Sequence, residues 1–291
     1  MQVGVVFPQT EIGADGGAVR GYAQGAEELG FAHLLAYDHV LGADPAVHQG
    51  WSGPYDIEST FHEPFVVFGY LAAVTSLELV TGVIILPQRQ TALVAKQAAE
   101  VDLLTGGRFR LGVGLGWNPV EYEALGKRFD DRGARLAEQV GLLRRLWTER
   151  TVTHEGDHER VTGAGLAPLP VQRPIPVWFG AHSQPALRRA GRLGDGWFPQ
   201  VPPGRRLDEA RSIVEQAAAQ AGRDPAGLAM EGRVTWGRGG AAEVARQVSA
   251  WREAGASHVS VNTMGAGLGS ADGHLTALAA IAAALELRAS A

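Results

Sequence analysis

Short apolar runs alternate with helix-period stripes from one end of this chain to the other, and that alternation limits the folds open to it. A helix between successive strands carries the chain back to the end of the sheet where it started, so the strands run parallel. Residues 3–7 read as a first strand, and Val19, Tyr22, Ala23, Ala26 and Leu29 form a helical stripe that Gly30 stops. Further strands are expected at 34–37, 77–83, 109–113, 177–179, 196–198, 228–235 and 258–261. Helices are expected between them, at about 61–73, 91–104, 134–147, 207–221 and 242–253, and a capped helix opens after 183. An Ala-rich helix at 275–287 completes eight β/α pairs, which in 291 residues fit an α/β TIM (β/α)8 barrel better than a doubly wound sheet. No Ser-rich linker or low-complexity tract interrupts the pattern, so residues 1–291 read as a single domain.

Two segments break the rhythm. Residues 42–60 hold His48, Trp51, Pro54 and Tyr55 without a regular pattern, as lids and binding loops do. Residues 151–176 read as a hairpin turning at Glu155-Gly156-Asp157, then an extended run through Pro168, Pro170, Pro174 and Pro176. That segment is expected to form a flap over the same barrel face.

Composition closes several classes. With no Cys there is no disulfide, thiolate nucleophile, iron–sulfur cluster or cysteine zinc site. A net charge of -5 gives no reason to expect nucleic acid or an anionic membrane as a partner. The 275–287 run falls short of the roughly 20 residues a bilayer span needs. The amino end lacks the basic start of a secretion signal, so a cytoplasmic protein is expected. His33, His39, His48 and His62 form neither a His-x-His pair nor a His-Glu-x-x-His helix, and no Gly-x-Ser-x-Gly elbow is present. A metal centre is not expected.

Chemistry in such a barrel sits where strands end and helices begin. The second strand ends in Asp38-His39, a group that titrates near neutral pH beside a carboxylate able to fix its ring. The third carries Gly82-Val83, where a glycine late in an apolar strand marks a bulge, a close ligand approach or room for barrel packing. The fourth ends in Gly112-Val113-Gly114-Leu115-Gly116-Trp117-Asn118, alternating glycines that clear space beside an aromatic ring and an amide. After the fifth, Gly180-Ala181-His182-Ser183 opens a helix whose free N–H groups suit an anion, and Gly237-Arg238-Gly239-Gly240 after the seventh is a rival. A histidine, cleared walls, aromatic residues and an anion site suit a flat phosphorylated cofactor.

On Tyr37-Asp38-His39-Val40, Thr81-Gly82-Val83-Ile84, the strand-four glycines with Glu121 and Tyr122, and Val177 to Ser183 leading to Leu193-Gly194-Asp195-Gly196-Trp197-Phe198-Pro199, the chain resembles the luciferase-like monooxygenase superfamily, within it the short bacterial oxidoreductases that use coenzyme F420. The resemblance spans nearly the whole chain. It implies a deazaflavin-dependent oxidoreductase acting on a small-molecule substrate, with Asp38 and His39 as catalytic residues near the reactive ring edge. It implies a cofactor cradle of Asp38, His39, Gly82, Val83, Gly114, Trp117, Asn118, Gly180, Ala181, His182 and Ser183, with the phosphate at 180–183 and a cis peptide joining Gly82 to Val83. Trp51, Tyr55 and Trp117 would line the substrate pocket under the 42–60 loop, and a homodimer paired through helices of the amino half is expected. The sugar-phosphate dehydrogenase branch has a glutamate where this chain has Trp117, which weakens a sugar-oxidising reading. FMN-dependent monooxygenation and non-catalytic flavin binding are the alternatives.

Overall fold

The computed structural model describes residues 1–288. Strands β1 (Gln2–Val6), β2 (His33–Ala36), β3 (Glu78–Thr81), β4 (Phe109–Gly114), β5 (Val177–Ala181), β6 (Gly196–Pro199), β7 (Ala229–Thr235) and β8 (His258–Asn262) pair in parallel, each with the next, and β8 pairs with β1. The sheet is therefore a closed barrel. Helices α1 (Gly16–Glu28), α2 (Pro64–Leu71), α3 (Thr91–Thr105), α4 (Arg132–Thr148), α5 (Gln184–Leu193), α6 (Arg205–Gln220), α7 (Gly240–Glu253) and α8 (Ala271–Ala284) surround it, completing a TIM barrel.

Local chemistry sets the element ends. Pro64 occupies the first turn of α2, and the Glu63 side chain accepts from Val66 N–H, so the helix starts later than position 61. α3 ends where Gly106, at φ 66°, turns its N–H back to the Asp102 and Leu103 carbonyls. Among the described residues no helix is long and apolar enough to cross a membrane.

Pleating divides the strands between two layers. On β2, Leu34 packs outward against the helices, in a core shared with Phe7, Leu79, Phe109 and Trp147. Leu35 joins Val6, Val80, Trp178 and Phe198 inside the barrel. Continued along β2, that alternation stacks His33, Leu35, Tyr37 and His39 up the interior and sends Asp38 outward.

Two expectations about the sequence are corrected. The strand expected over 77–83 stops at Thr81, is broken by a cis Gly82-Val83 peptide and resumes at Ile84–Ile85. Between its pairings with β4 it spends four residue steps, Val80 to Ile84, against three from Arg110 to Val113, so it carries a one-residue bulge. The hairpin, Val152–Glu155 with Arg160–Ala164, packs along the outside of α4 instead of covering the mouth. His154 Nε2 lies 3.0 Å from Glu138 Oε1, and Arg135 donates to Glu159 at 2.9 Å. These polar contacts tie it to the α4 surface.

The close approach of the bulged strand explains the β4 glycines. A Cβ on Gly112 would lie 1.9 Å from the Thr81 carbonyl oxygen, a backbone atom that cannot step aside, whereas one on the exposed helix residue Gly141 would meet nothing within 4 Å. Gly112→Ala is expected to destabilise by about 3 kcal/mol or more through overpacking. Gly141→Ala should gain up to about 1 kcal/mol from helix propensity. Urea midpoints of the two variants check the contrast.

Candidate active site

At the carboxyl ends of the strands the mouth opens into a cleft of about 630 Å³. Its wall includes Leu35, Tyr37, Asp38, His39, Tyr55, Gly82, Val83, Gly114, Trp117, Arg132, residues 180–183, Phe198, Glu231, Arg233 and Ser260. A groove of about 800 Å³ at the opposite end, lined by Gln2, Glu28, Arg108 and His258, lies where such barrels carry stability and not chemistry.

Asp38 and His39 share the cleft but not a bond. Asp38 is buried, with Oδ1 2.7 Å from Arg89 Nη2 and Oδ2 accepting from Ile85 N–H at 2.9 Å. Burial pushes its carboxyl above the ordinary carboxylate range, against Arg89 and that N–H. The carboxylate beside His39 is instead Glu121, whose Oε2 lies 3.6 Å from His39 Nδ1. Glu121 Oε1 also accepts from Val40 N–H at 2.5 Å and Leu41 N–H at 3.2 Å, and Gln88 donates to Oε2 at 3.1 Å. Burial raises the Glu121 carboxyl, but these partners, His39 first, outweigh it and hold the group below its usual range. It is an anchored anion.

Aromatic edges fix the other faces of the histidine. Tyr55, Phe61 and Trp117 stand 5.1, 4.7 and 5.4 Å from the His39 ring, each tilted edge to face. The 42–60 loop thus brings Tyr55 to the cleft. Trp51 stands one layer back, 5.6 Å from Trp117, with Nε1 donating to the Tyr55 carbonyl. Its place as a pocket wall is corrected to a prop behind Trp117. Asn118 is corrected too: Oδ1 caps the helix Pro119–Ala124 at Val120 and Glu121 N–H, Nδ2 donates to the Leu41 carbonyl, and the residue does not line the cleft. It aims Glu121.

Val83 occupies the cleft floor. A Cβ on Gly114 would lie 2.5 Å from its Cγ2, and one on Gly180 3.3 Å from its Cγ1, so both glycines make room for Val83 before any ligand. At the far end, α5 begins after Ser183, whose side chain makes no capping bond, and Arg132 joins His182, Ser183 and Ala186 on the wall. Free helix N–H groups with a guanidinium beside them are the donor set a phosphate needs. Gly237-Arg238-Gly239-Gly240, the rival anion site, lies outside the cleft.

Below the cleft a polar cluster fills the barrel. Glu231 Oε1 takes His33 Nε2 at 2.9 Å and the Ser260 hydroxyl at 2.5 Å, and Oε2 takes Arg110 at 2.8 Å. Arg110 also pairs with Glu78 and lies 4.4 Å over the Trp178 ring. Burial raises the Glu231 carboxyl, yet His33 and Arg110 hold it far below its ordinary range. Composition gave no sign of this cluster or of Arg233. The only available signal was the period-two register of charged residues within strands. Among the described residues no group of three or more His, Asp or Glu could hold a metal ion.

His258, at the foot of this cluster, is held down to about 3 by burial first and then by the charges of Arg110 and His33. Its folded pKa lies below the unfolded one, so stability is full above about pH 6.5 and falls as pH drops, while only the unfolded chain takes up the proton. Between pH 7.5 and 5, wild type should lose about 1 kcal/mol more than His258→Gln, half the unscreened linkage because the ring is partly solvated. Urea titrations at the two pH values measure it.

Comparison with known proteins agrees with this geometry. Residues 1–238 match the family described as luciferase-like monooxygenase. A coenzyme F420-dependent glucose-6-phosphate dehydrogenase from Intrasporangium calvum is 34% identical over 209 residues, 68% of this chain and 58% of that one. The chain spans a little over half the length of the curated relatives it matches, 56% for an uncharacterised Mycobacterium tuberculosis protein 38% identical to it. Among solved structures, monooxygenase RslO1 from Streptomyces bottropensis superposes with a TM-score of 0.80 at 21% identity, over 98% of this chain and 99% of that one. That likeness speaks for the fold alone. The chain belongs to the luciferase-like monooxygenase family.

Proposed function

We propose that this protein is an oxidoreductase that moves a hydride between coenzyme F420 and a small organic substrate, with His39 giving or taking the accompanying proton. The observation that carries the reading is the setting of His39: a ring fixed by an anchored carboxylate and three aromatic edges, at the mouth of a cleft that ends in a phosphate-type donor set. When bound, the deazaflavin supplies a ring carbon that accepts or releases hydride. The protein's groups do the rest. Residues 180–183 and Arg132 would hold the phosphate, and Val83 would support the ring. Glu121 at Nδ1 leaves Nε2 as the nitrogen free to exchange a proton with substrate. Asp38 lines the same cleft, and both its oxygens are engaged by Ile85 and Arg89 at the bulge, so we assign it a positioning role.

The curated dehydrogenase relative supports the cofactor but not its sugar. Trp117 stands where that branch has a glutamate, and Glu121, one helical turn on, is buried and fully engaged. FMN-dependent monooxygenation is the second reading, supported by the description of the matching family as luciferase-like monooxygenase. Exposed Val66 and Tyr70 on α2, with Leu93 and Leu104 on α3, support pairing of two copies through the amino-half helices.

Titration of the purified protein with each cofactor tests the reading. F420 should bind and FMN should not compete at equal concentration; tight FMN binding with no F420 binding overturns it. In the F420-loaded enzyme, His39→Ala should cut turnover at least about 100-fold, the scale of a lost proton-transfer group, and leave cofactor affinity within about threefold. Oxygen uptake with reduced FMN would support the second reading.

A further inference from the structure

One end of the cleft has no role in that chemistry. Arg233, at the carboxyl end of β7, reaches over β8 and β1 and donates from Nη1 to the Tyr37 hydroxyl at 3.1 Å. In the ring of strands β1 lies opposite β5, so this bridge faces the α5 end and Arg132 across the mouth. The carboxylates of the wall are committed elsewhere, Asp38 to Arg89 and Glu231 to Arg110 and His33. Arg233 makes no ion pair among the described residues, and of its five N–H groups only one on Nη1 is engaged. The Tyr37 hydroxyl accepts that bond, and burial raises its pKa despite Arg233, so it keeps a proton to donate.

We propose that Arg233 and Tyr37 form a subsite for the carboxylate of the substrate. The assignment rests on the F420 reading, because it takes the α5 end as the cofactor's anchor and leaves this end to the substrate. The donors choose the anion. One guanidinium fork and one hydroxyl match the two oxygens and single charge of a carboxylate. A phosphate needs more donors, and those stand at the α5 end. Tyr55 lines the same cleft, feels the charge of Arg233, and lies 5.1 Å from the His39 ring. A molecule held by its carboxylate at Arg233 therefore extends past Tyr55 toward His39, beside the Trp117 ring that lines the same cleft.

Benzoate, phenylacetate and 3-phenylpropionate, each with its primary amide, are the probes, titrated into the F420-loaded enzyme and followed by tryptophan fluorescence. At least one acid should bind about tenfold or more tightly than its amide, because only the acid pairs with the fork. Arg233→Met should abolish that preference, Arg233→Lys should keep part of it, and Tyr37→Phe should reduce it about fivefold. Cofactor affinity should stay within about threefold in every variant. Equal affinity for acid and amide, or no binding of any acid, overturns the subsite. So does a parallel loss of F420 affinity in Arg233→Met, which would give Arg233 to the cofactor. If wild type binds FMN and not F420, the cofactor reading fails on its own, and the same acid–amide comparison on the FMN-loaded protein decides the subsite separately.

Discussion

Asp38 spends its two carboxylate oxygens on two segments that would otherwise have no reason to meet. Oδ1 holds Arg89, which reaches back to Glu63 before α2, and Oδ2 holds the amide of Ile85, the point where the third strand resumes after its bulge. A buried ion pair is weak evidence of net stability, since desolvation offsets the attraction. Its use here is positional. With Ile85 fixed, Val83 stands between Gly114 and Gly180, where either glycine would need to yield to admit a larger residue. The alternation carried past the end of β2 then places His39, the residue after Asp38, inside the mouth.

The barrel was legible because its signal is repeated. Eight strands of period two alternate with helices of period 3.6, and an error in one element leaves the rest consistent. The cleft at the barrel mouth was legible in outline for the same reason, through residues at strand ends. What escaped was pairing between distant segments. Asp38-His39 reads as an interacting pair because the residues are neighbours in sequence. Alternation in an extended strand sends neighbours to opposite faces, so each found its partner elsewhere, in Arg89 and in Glu121. Asn118 reads as a ligand because an amide beside three glycines suggests one. Its position before Pro119 made it a helix cap. The β4 glycines read as space for a ligand, and the bulge of β3 fills that space first.

Glu121 shows how a charged group can govern a site without entering it. It lies beneath His39 and takes both N–H groups at the start of the mouth loop, Val40 and Leu41, so one carboxylate sets the ring and the loop that closes over it. Asn118 aims it from the cap and Gln88 holds its second oxygen. Moving any of these would shift the histidine and the loop together, because the same two oxygens serve both.

The charge pattern of the cleft follows from that arrangement. The resemblance implies that the sugar-phosphate dehydrogenase branch has a glutamate acting as acid or base at the position of Trp117. Here Trp117 replaces it with an apolar ring, and each carboxylate near the cleft is buried and paired. The cations are distributed differently. Arg132 borders the α5 end, Arg233 stands at the other with a hydrogen bond to Tyr37 and no ion pair among the described residues, and Tyr55, Phe61 and Trp117 lie around His39. On the proposed reading, a cleft with neutralised acids, cations at both ends and an aromatic middle would disfavour polyhydroxylated neutral substrates, whose hydroxyls would find few acceptors there. The proposed carboxylate subsite would favour a molecule with an apolar body and an anionic end, because desolvating that body is favourable and the guanidinium would compensate the charge.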